Sequence, residues 1–542
     1  MGQIKTFRAV TTVAAVVSLL LFFAGCGGSG KDKGITIAET AQPDSLDPAV
    51  GYTVNALEPG WLVYTPLLTY SHAAGQAGAR LVPGLAQSLP QVSGDGRTYR
   101  LKLRPGLKYS DGSPVRAGDF EHAIERVLAL ASPGTSFFLG IDGAEQYVAK
   151  KRHGGGLSGV VTDDRTGAIT IHLLRPDGTF PNVLAMVFSA PVPRTTPFSN
   201  RTASPPPGVG PYRYAKVRPG RDFTLERNPQ FDVPGIPRAR IAPITVRIVK
   251  NLQRQAEDVL RGDLDYMQDP PPPDILPKIR SQARDRYAEY ASPTSVFFFL
   301  NHRTPPFDDP RVRQAAEYAL DRQAAVRIFG GLLDGACNIL PPDVPGSRPV
   351  DPCPWQGAGG AADPAKARAL VRTAGARGAK VSVWVPKAPP YDRFATVYAD
   401  ALRKVGLDAR PRIVDFSQYT QLIGSRRTGA QTGMVVYSQD FPHPADFLRQ
   451  FSGSTIAPTG SVNFGNVDDP SLTRQIDALS TQGDLAATAP RWAEIDRKLV
   501  AGAHVVPVGF LKRTEFVSDR LKPSCTVVNP VYGTDYTSFC RR

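Results

Sequence analysis

The stretch Asp95-Gly96-Arg97-Thr98-Tyr99-Arg100-Leu101-Lys102-Leu103-Arg104-Pro105-Gly106-Leu107-Lys108-Tyr109-Ser110-Asp111-Gly112 begins as an alternating segment. Tyr99, Leu101 and Leu103 fall on one face, and Arg100, Lys102 and Arg104 on the other, the period-two pattern of a half-buried strand. Pro105-Gly106 breaks that strand, and Asp111-Gly112 makes the next turn. Asp119 then stands as a cap before Ala123, Ile124, Val127 and Leu128, which recur at the spacing of an amphipathic helix.

Working outward, Ile35-Thr36-Ile37-Ala38 reads as a first strand, and Tyr212 to Leu225 as a hairpin behind the Pro/Gly-rich loop Ser204 to Gly210. Gly262 to Tyr266 is a short strand that runs into the proline block Asp269 to Pro273. Such a block continues neither sheet nor helix, so a crossing between domains is expected there. Ser295 to Asn301, with Phe297-Phe298-Phe299, reads as a buried strand. Asp309-Pro310 and Asp363-Pro364 open helices. Val381, Val383 and Val385 form a strand, Phe394 to Val405 a helix stopped by Gly406, and Arg412 to Phe416 a further strand. This alternation predicts an α/β lobe, with no internal repeat.

The chain has 542 residues, and removal of a 25-residue leader would leave 517. That length suits about three lobes at roughly 150 residues each. The net charge of +15 is dispersed rather than clustered on a stripe, which speaks for a solvated basic surface and against a nucleic-acid partner. At the start, Lys5 and Arg8 precede an apolar run that ends at Ala24-Gly25-Cys26. This pattern reads as an export signal over residues 1–25. It is similar to the bacterial lipoprotein signal, in which the cysteine, here Cys26, receives a lipid; Phe23 departs from the aliphatic residue usual three places earlier. Residues 26–34 are Gly/Ser/Lys-rich and read as a flexible tether.

Four further cysteines, Cys337, Cys353, Cys525 and Cys540, suggest disulfides in an exported chain. Sequence neighbours offer Cys337–Cys353 and Cys525–Cys540, each closing a loop worth roughly 3 kcal/mol on the chain-entropy description. Other connectivities remain open at this level.

Catalytic patterns are missing from the sequence. No serine carries glycine two places before and after it, no HExxH occurs, and Gly208-Val209-Gly210 lacks the third glycine of a dinucleotide site. His443 near Asp440 is half a metal site at best, and between two prolines it reads as a loop residue. No enzyme, metal site or cofactor is expected.

Several segments nevertheless resemble one family in its own order. Asp95 to Val115, continued by Asp119 to Arg126, resembles the signature of the extracellular solute-binding proteins of the peptide/nickel class (family 5), which serve ABC-type importers. Ser45-Leu46-Asp47-Pro48, Gly208-Val209-Gly210-Pro211-Tyr212 with Leu225-Glu226-Arg227-Asn228-Pro229, and Val312 to Arg322 ("RQAxxYAxDR") match further blocks. Tyr437-Ser438-Gln439-Asp440-Phe441-Pro442-His443-Pro444 resembles the "WxxDYxxP" stretch of peptide-binding members, with Tyr437 in place of tryptophan and His443 at a position often acidic.

The resemblance implies a two-lobed periplasmic-binding-protein-like α/β fold of type II, with an additional inserted domain and a hinge. Lobe I would comprise residues 35–60, 200–270 and 505–542, the inserted domain 61–199, and lobe II 271–504. The crossings would fall at the proline block and near residue 500. It further implies that Asp440 pairs with the α-ammonium of a peptide, and that the backbone at Tyr437, Ser438 and Gln439 pairs with the extended ligand as an added strand. By local chemistry alone Asp440 is a turn or cap residue. The expected role is a monomeric, lipid-anchored receptor on the outer face of the cell membrane, delivering a small solute, foremost an oligopeptide, to an ABC permease and its ATPases. A metal chelate or glycoside as cargo, a peptide-pheromone receptor, and a secreted envelope hydrolase are the alternatives.

Overall fold

The computed structural model describes residues 34–357 and 361–542. The expected leader, Cys26 and residues 26–33 of the tether lie outside them. Among the described residues no helix is long and apolar enough to cross a membrane.

The signature stretch folds nearly as its pattern demands. Thr98–Lys102 is a strand with alternating burial, and Gly106 and Gly112 take the positive φ values, 74° and 89°, that their turns require. The helix spans Ala117–Ala129. Asp119 is its third residue rather than its cap: its carboxylate accepts from the Arg116 N–H at 2.8 Å, holding the chain that enters the helix. With Gln91–Val92, Val160–Asp163 and Ala168–His172, the strand builds a four-stranded antiparallel sheet.

A second sheet of eleven strands runs through the whole molecule. One half carries Ile35–Glu39, Tyr212–Arg218, Asp222–Arg227, Ile244–Ile248 and Tyr266–Met267; the other carries Lys380–Pro386, Asp408–Val414 and Thr432–Ser438. Two long antiparallel strands, Tyr287–Leu300 and Val505–Val517, lie between the halves and belong to both, and the short strand Leu333–Gly335 pairs beside Val505–Val517 as the eleventh. Each half is a lobe, faced by its own apolar clusters.

The crossings therefore differ from expectation. After the proline block, Ile275, Ile279 and Ala283 still pack on Ala38, Ala256 and Val259 of the first lobe. The change of lobe comes midway along the strand Tyr287–Leu300, where pairing with Val505–Val517 shifts register between Ala291 and Ser295. The second crossing likewise lies inside Val505–Val517, because Val505, Val506 and Val508 are buried in the second lobe. The boundaries at 270/271 and 504/505 thus move into these two strands. The boundary at residue 60 falls inside the helix Val54–Val63, and the inserted region shares one continuous core with the first lobe. Phe416, expected in a strand, instead opens the helix Phe416–Ile423; the strand there is Asp408–Val414.

The phenylalanine run is core. Phe298 stacks on Tyr398 at 4.2 Å on one face of the sheet, while Phe297 and Phe299 meet Phe451 and Phe464 on the other. Asp309 and Asp363 cap their helices by accepting the N–H groups of Arg311 and Lys366. Cys337 is joined to Cys353 and Cys525 to Cys540, with Cα separations of 5.8 and 5.9 Å.

Candidate functional site

The strand Thr432–Ser438 pairs with the crossing strand, Ser438 opposite Thr294, and then leaves the sheet at the lobe boundary. The Ser438 and Thr294 hydroxyls lie 2.8 Å apart, and the Gln439 N–H donates to the Pro293 carbonyl at 3.0 Å. These bonds fix the exit of the chain at the mouth between the lobes.

A cavity of about 210 Å³ opens there. Pro293, Thr294, Ser438 and Gln439 form one wall, and Asn529 to Tyr532 the facing one. Glu58 and Arg513 also line it, as an ion pair at 3.0 Å. Gln439 reaches across, its Nε2 donating to the Pro530 carbonyl at 2.7 Å. Of the residues expected at the ligand, Ser438 and Gln439 line the cavity, whereas Tyr437 and Asp440 do not.

Asp440 sits in a half-buried nest of hydroxyls. Tyr52, from the first lobe, donates to its Oδ1 at 2.5 Å, and Tyr437 donates to its Oδ2 at 3.2 Å. A second carboxylate, Asp446, adjoins it, accepting from the Asp440 N–H at 2.8 Å and from Tyr437 at 3.1 Å. Desolvation pushes the Asp440 carboxyl up to about 6 against the pull of the two tyrosine hydroxyls. Asp446 is raised well above the carboxylate range, first by burial and then by Asp440. The partners of this acid pair are hydroxyls and backbone N–H groups, with no cation among them.

His443 serves as a helix cap. Its Nδ1 accepts from the Ala445 N–H at 3.0 Å and caps the helix Pro444–Leu448, and burial drives it down to about 4. Among the described residues no His/Cys/Asp/Glu group is arranged for a metal ion.

The other blocks of the resemblance perform a different task. Asp47 and Arg126, in separate blocks, meet as a bidentate pair at 2.9 and 2.7 Å, both side chains wholly buried. Glu317 and Arg322 pair at 2.9 Å within the "RQAxxYAxDR" block, and Arg313 of the same block donates to the Phe307 and Ala503 carbonyls. These residues hold the frame rather than a ligand.

Four residues of the site, Tyr52, Glu58, Arg513 and Asp446, escaped the sequence reading. Tyr52 is 388 residues from Asp440, and nothing local marks it. Glu58 pairs with Arg513 over 455 residues. Asp446 lies only six residues from Asp440, and its charge beside the expected ammonium residue was a usable signal.

Residues 80–459 match the middle region of the bacterial extracellular solute-binding proteins, family 5, and the chain belongs to that family. The glutathione-binding protein GsiB of Pectobacterium atrosepticum is 29% identical over 307 residues, covering 55% of this chain and 53% of that protein. The chain thus spans about half the length of this relative. The clavulanic acid biosynthesis oligopeptide binding protein 2 superposes with a TM-score of 0.84 at 26% identity, covering 94% of this chain and 95% of the other. Haemophilus influenzae OppA, solved with the peptide RPPGFSPFR, shares the fold at a TM-score of 0.73 and 20% identity, over 94% and 99% of the two chains. The fold is that of the two-lobed binding proteins.

Proposed function

We propose that this chain captures short peptides with a free amino end in the cleft between its lobes and passes them to an ABC permease in the membrane. The observation that carries this reading is the acid pair Asp440 and Asp446, half-buried at the lobe boundary with hydroxyls but no cation as partners. A desolvated carboxylate without a counter-charge is costly, and an ammonium group relieves that cost through a charge-assisted hydrogen bond. The oligopeptides and glutathione named for its relatives both carry a free amino end. The exit of the strand at Ser438 and Gln439, on the cavity wall, supports an extended ligand lying along this backbone. A monomer tethered by a lipid on Cys26 outside the cytoplasm completes the proposal, since tethering near the permease raises effective concentration. Cys26→Ser abolishes metabolic lipid labelling on this reading, and a labelled mutant refutes the anchor.

Calorimetry with a pool of tripeptides and its N-acetylated counterpart tests the cargo. Asp440→Ala weakens binding of the free-amine pool by on the order of tenfold or more and leaves the acetylated pool little changed. Equal losses for both pools remove the ammonium role, and silence of both pools with the unaltered chain removes the peptide cargo.

A further inference from the structure

The four oxygens of the acid pair are not equivalent. Asp440 Oδ2 and Asp446 Oδ1 accept from Tyr437, on the same lobe, and Asp446 Oδ2 accepts from the Asp440 backbone. Those three bonds move together as one body. Asp440 Oδ1 alone is held from the opposite lobe, by the Tyr52 hydroxyl at 2.5 Å. The Tyr52 ring is anchored on that side against Phe188, with centroids 5.9 Å apart. Its loop is held there too, because Asp44 accepts the Tyr52 N–H at 2.9 Å.

We infer that the Tyr52 hydroxyl is a built-in competitor of the ligand's amino end: it occupies the one exchangeable oxygen of Asp440, and a bound ammonium displaces it. This rests on the ammonium role proposed above for Asp440. The Tyr52 bond to the carboxylate is itself charge-assisted, but the phenol carries no net charge, whereas an ammonium brings a full opposite charge to the desolvated acid. Tyr52 therefore reduces the cost of closing the cleft over an empty site, while remaining weak enough to yield. The same bond lowers apparent affinity, since a ligand gains only the difference between its own contact and the one it replaces. In this role Tyr52 sets selectivity: a ligand with a blocked amino end has nothing with which to evict the hydroxyl.

A second contact between the lobes serves as a control. Arg449 of the second lobe pairs with Asp177 of the inserted region at 2.9 Å, and has no bond to Asp440. Loosening the lobes there leaves the hydroxyl available to compete for the oxygen; Tyr52→Phe removes the competitor itself.

Tyr52→Phe and Arg449→Gln in the purified full chain separate the two effects. Lobe separation is followed by fluorescence transfer between labels on the two lobes without added peptide, and binding by calorimetry with the tripeptide pool and its N-acetylated counterpart. Tyr52→Phe is expected to open the lobes and bind the free-amine pool on the order of tenfold more tightly, with acetylated binding unchanged. Arg449→Gln is expected to open the lobes without that selective gain. Unaltered lobe separation in Tyr52→Phe overturns the inference. So does weaker binding of the free-amine pool, which makes the tyrosine a ligand contact, or a gain shared by Arg449→Gln or by the acetylated pool. If the unaltered chain binds neither pool, the peptide reading itself falls; if it binds the free-amine pool and Tyr52→Phe brings no gain, only the competitor falls.

Discussion

Asp47 and Asp440 are both acids taken out of water, and they are treated in opposite ways. Asp47 has a guanidinium fixed on it: Arg126 grips both oxygens, and the same arginine donates to the Pro197 and Ser199 carbonyls. Asp440 has two phenols and a neighbouring carboxylate. The first arrangement is complete within the chain and ties the loop after the first strand to the inserted region. The second is left one cation short. On the reading proposed above, that missing counter-charge is what suits Asp440 to a bound ammonium, whereas Asp47 has no need of one.

The largest test of this contrast is Arg126→Met, which strands Asp47 in the core. Thermal or denaturant unfolding should show a loss of about 3–5 kcal/mol, largely recovered when Asp47→Asn is added. A loss below about 1 kcal/mol would place Asp47 closer to Asp440 in kind.

The next largest effect is on pH. An ammonium pairs with the ionised form of Asp440, whose pKa stands at about 6. Affinity for free-amine peptides should therefore rise with pH and level off above 7, and be roughly tenfold weaker at pH 5 than on the plateau. Asp440→Asn should flatten the profile. A flat profile in the unaltered chain would mean that the acid pair does not meet the ligand's charge.

The smallest effect has the reverse sign. A carboxyl whose pKa is higher folded than unfolded favours the fold most when protonated. Its contribution is complete below about pH 4 and is lost as pH rises through about 6. Asp440→Asn should accordingly leave stability unchanged at pH 4 and raise it by about 1 kcal/mol at pH 8, measured by thermal unfolding, the rise to about 6 being partly offset by the hydrogen bonds from Tyr52 and Tyr437 that the amide accepts less well. A destabilised variant at pH 8 would make Asp440 a structural acid like Asp47.

Much of the frame was legible because it rests on short-range rules. Alternation exposed the strand Thr98–Lys102, proline after aspartate marked the helix starts at Pro310 and Pro364, and ordered blocks pointed to the fold. Asp119 lies at the expected helix end but three residues inside it, where its carboxylate reaches back to the Arg116 N–H; a carboxylate serves a helix start from either position, so its type alone does not separate them. The lobe crossings were misplaced because the proline block draws the eye, whereas the strand Tyr287–Leu300 changes lobe by changing partners without changing its conformation. The pairing of Tyr52 with Asp440, like that of Asp47 with Arg126, joins positions that one sequence gives no means of connecting. The expected added-strand segment reached the cleft mouth, but only Ser438 and Gln439 face the cavity.

The register shift in the two crossing strands has a mechanical consequence. From Ala291 opposite Lys512 the ladder resumes at Ser295 opposite Phe510, so Ser292, Pro293 and Thr294 have no partner on that neighbour. Bending here breaks no rung between the two strands, and this is where a shared sheet is softest. The same three residues form part of the cavity wall. On the reading proposed above, whatever rests against them stiffens this joint between the lobes, so that occupancy of the cleft and the angle between the lobes become a single quantity.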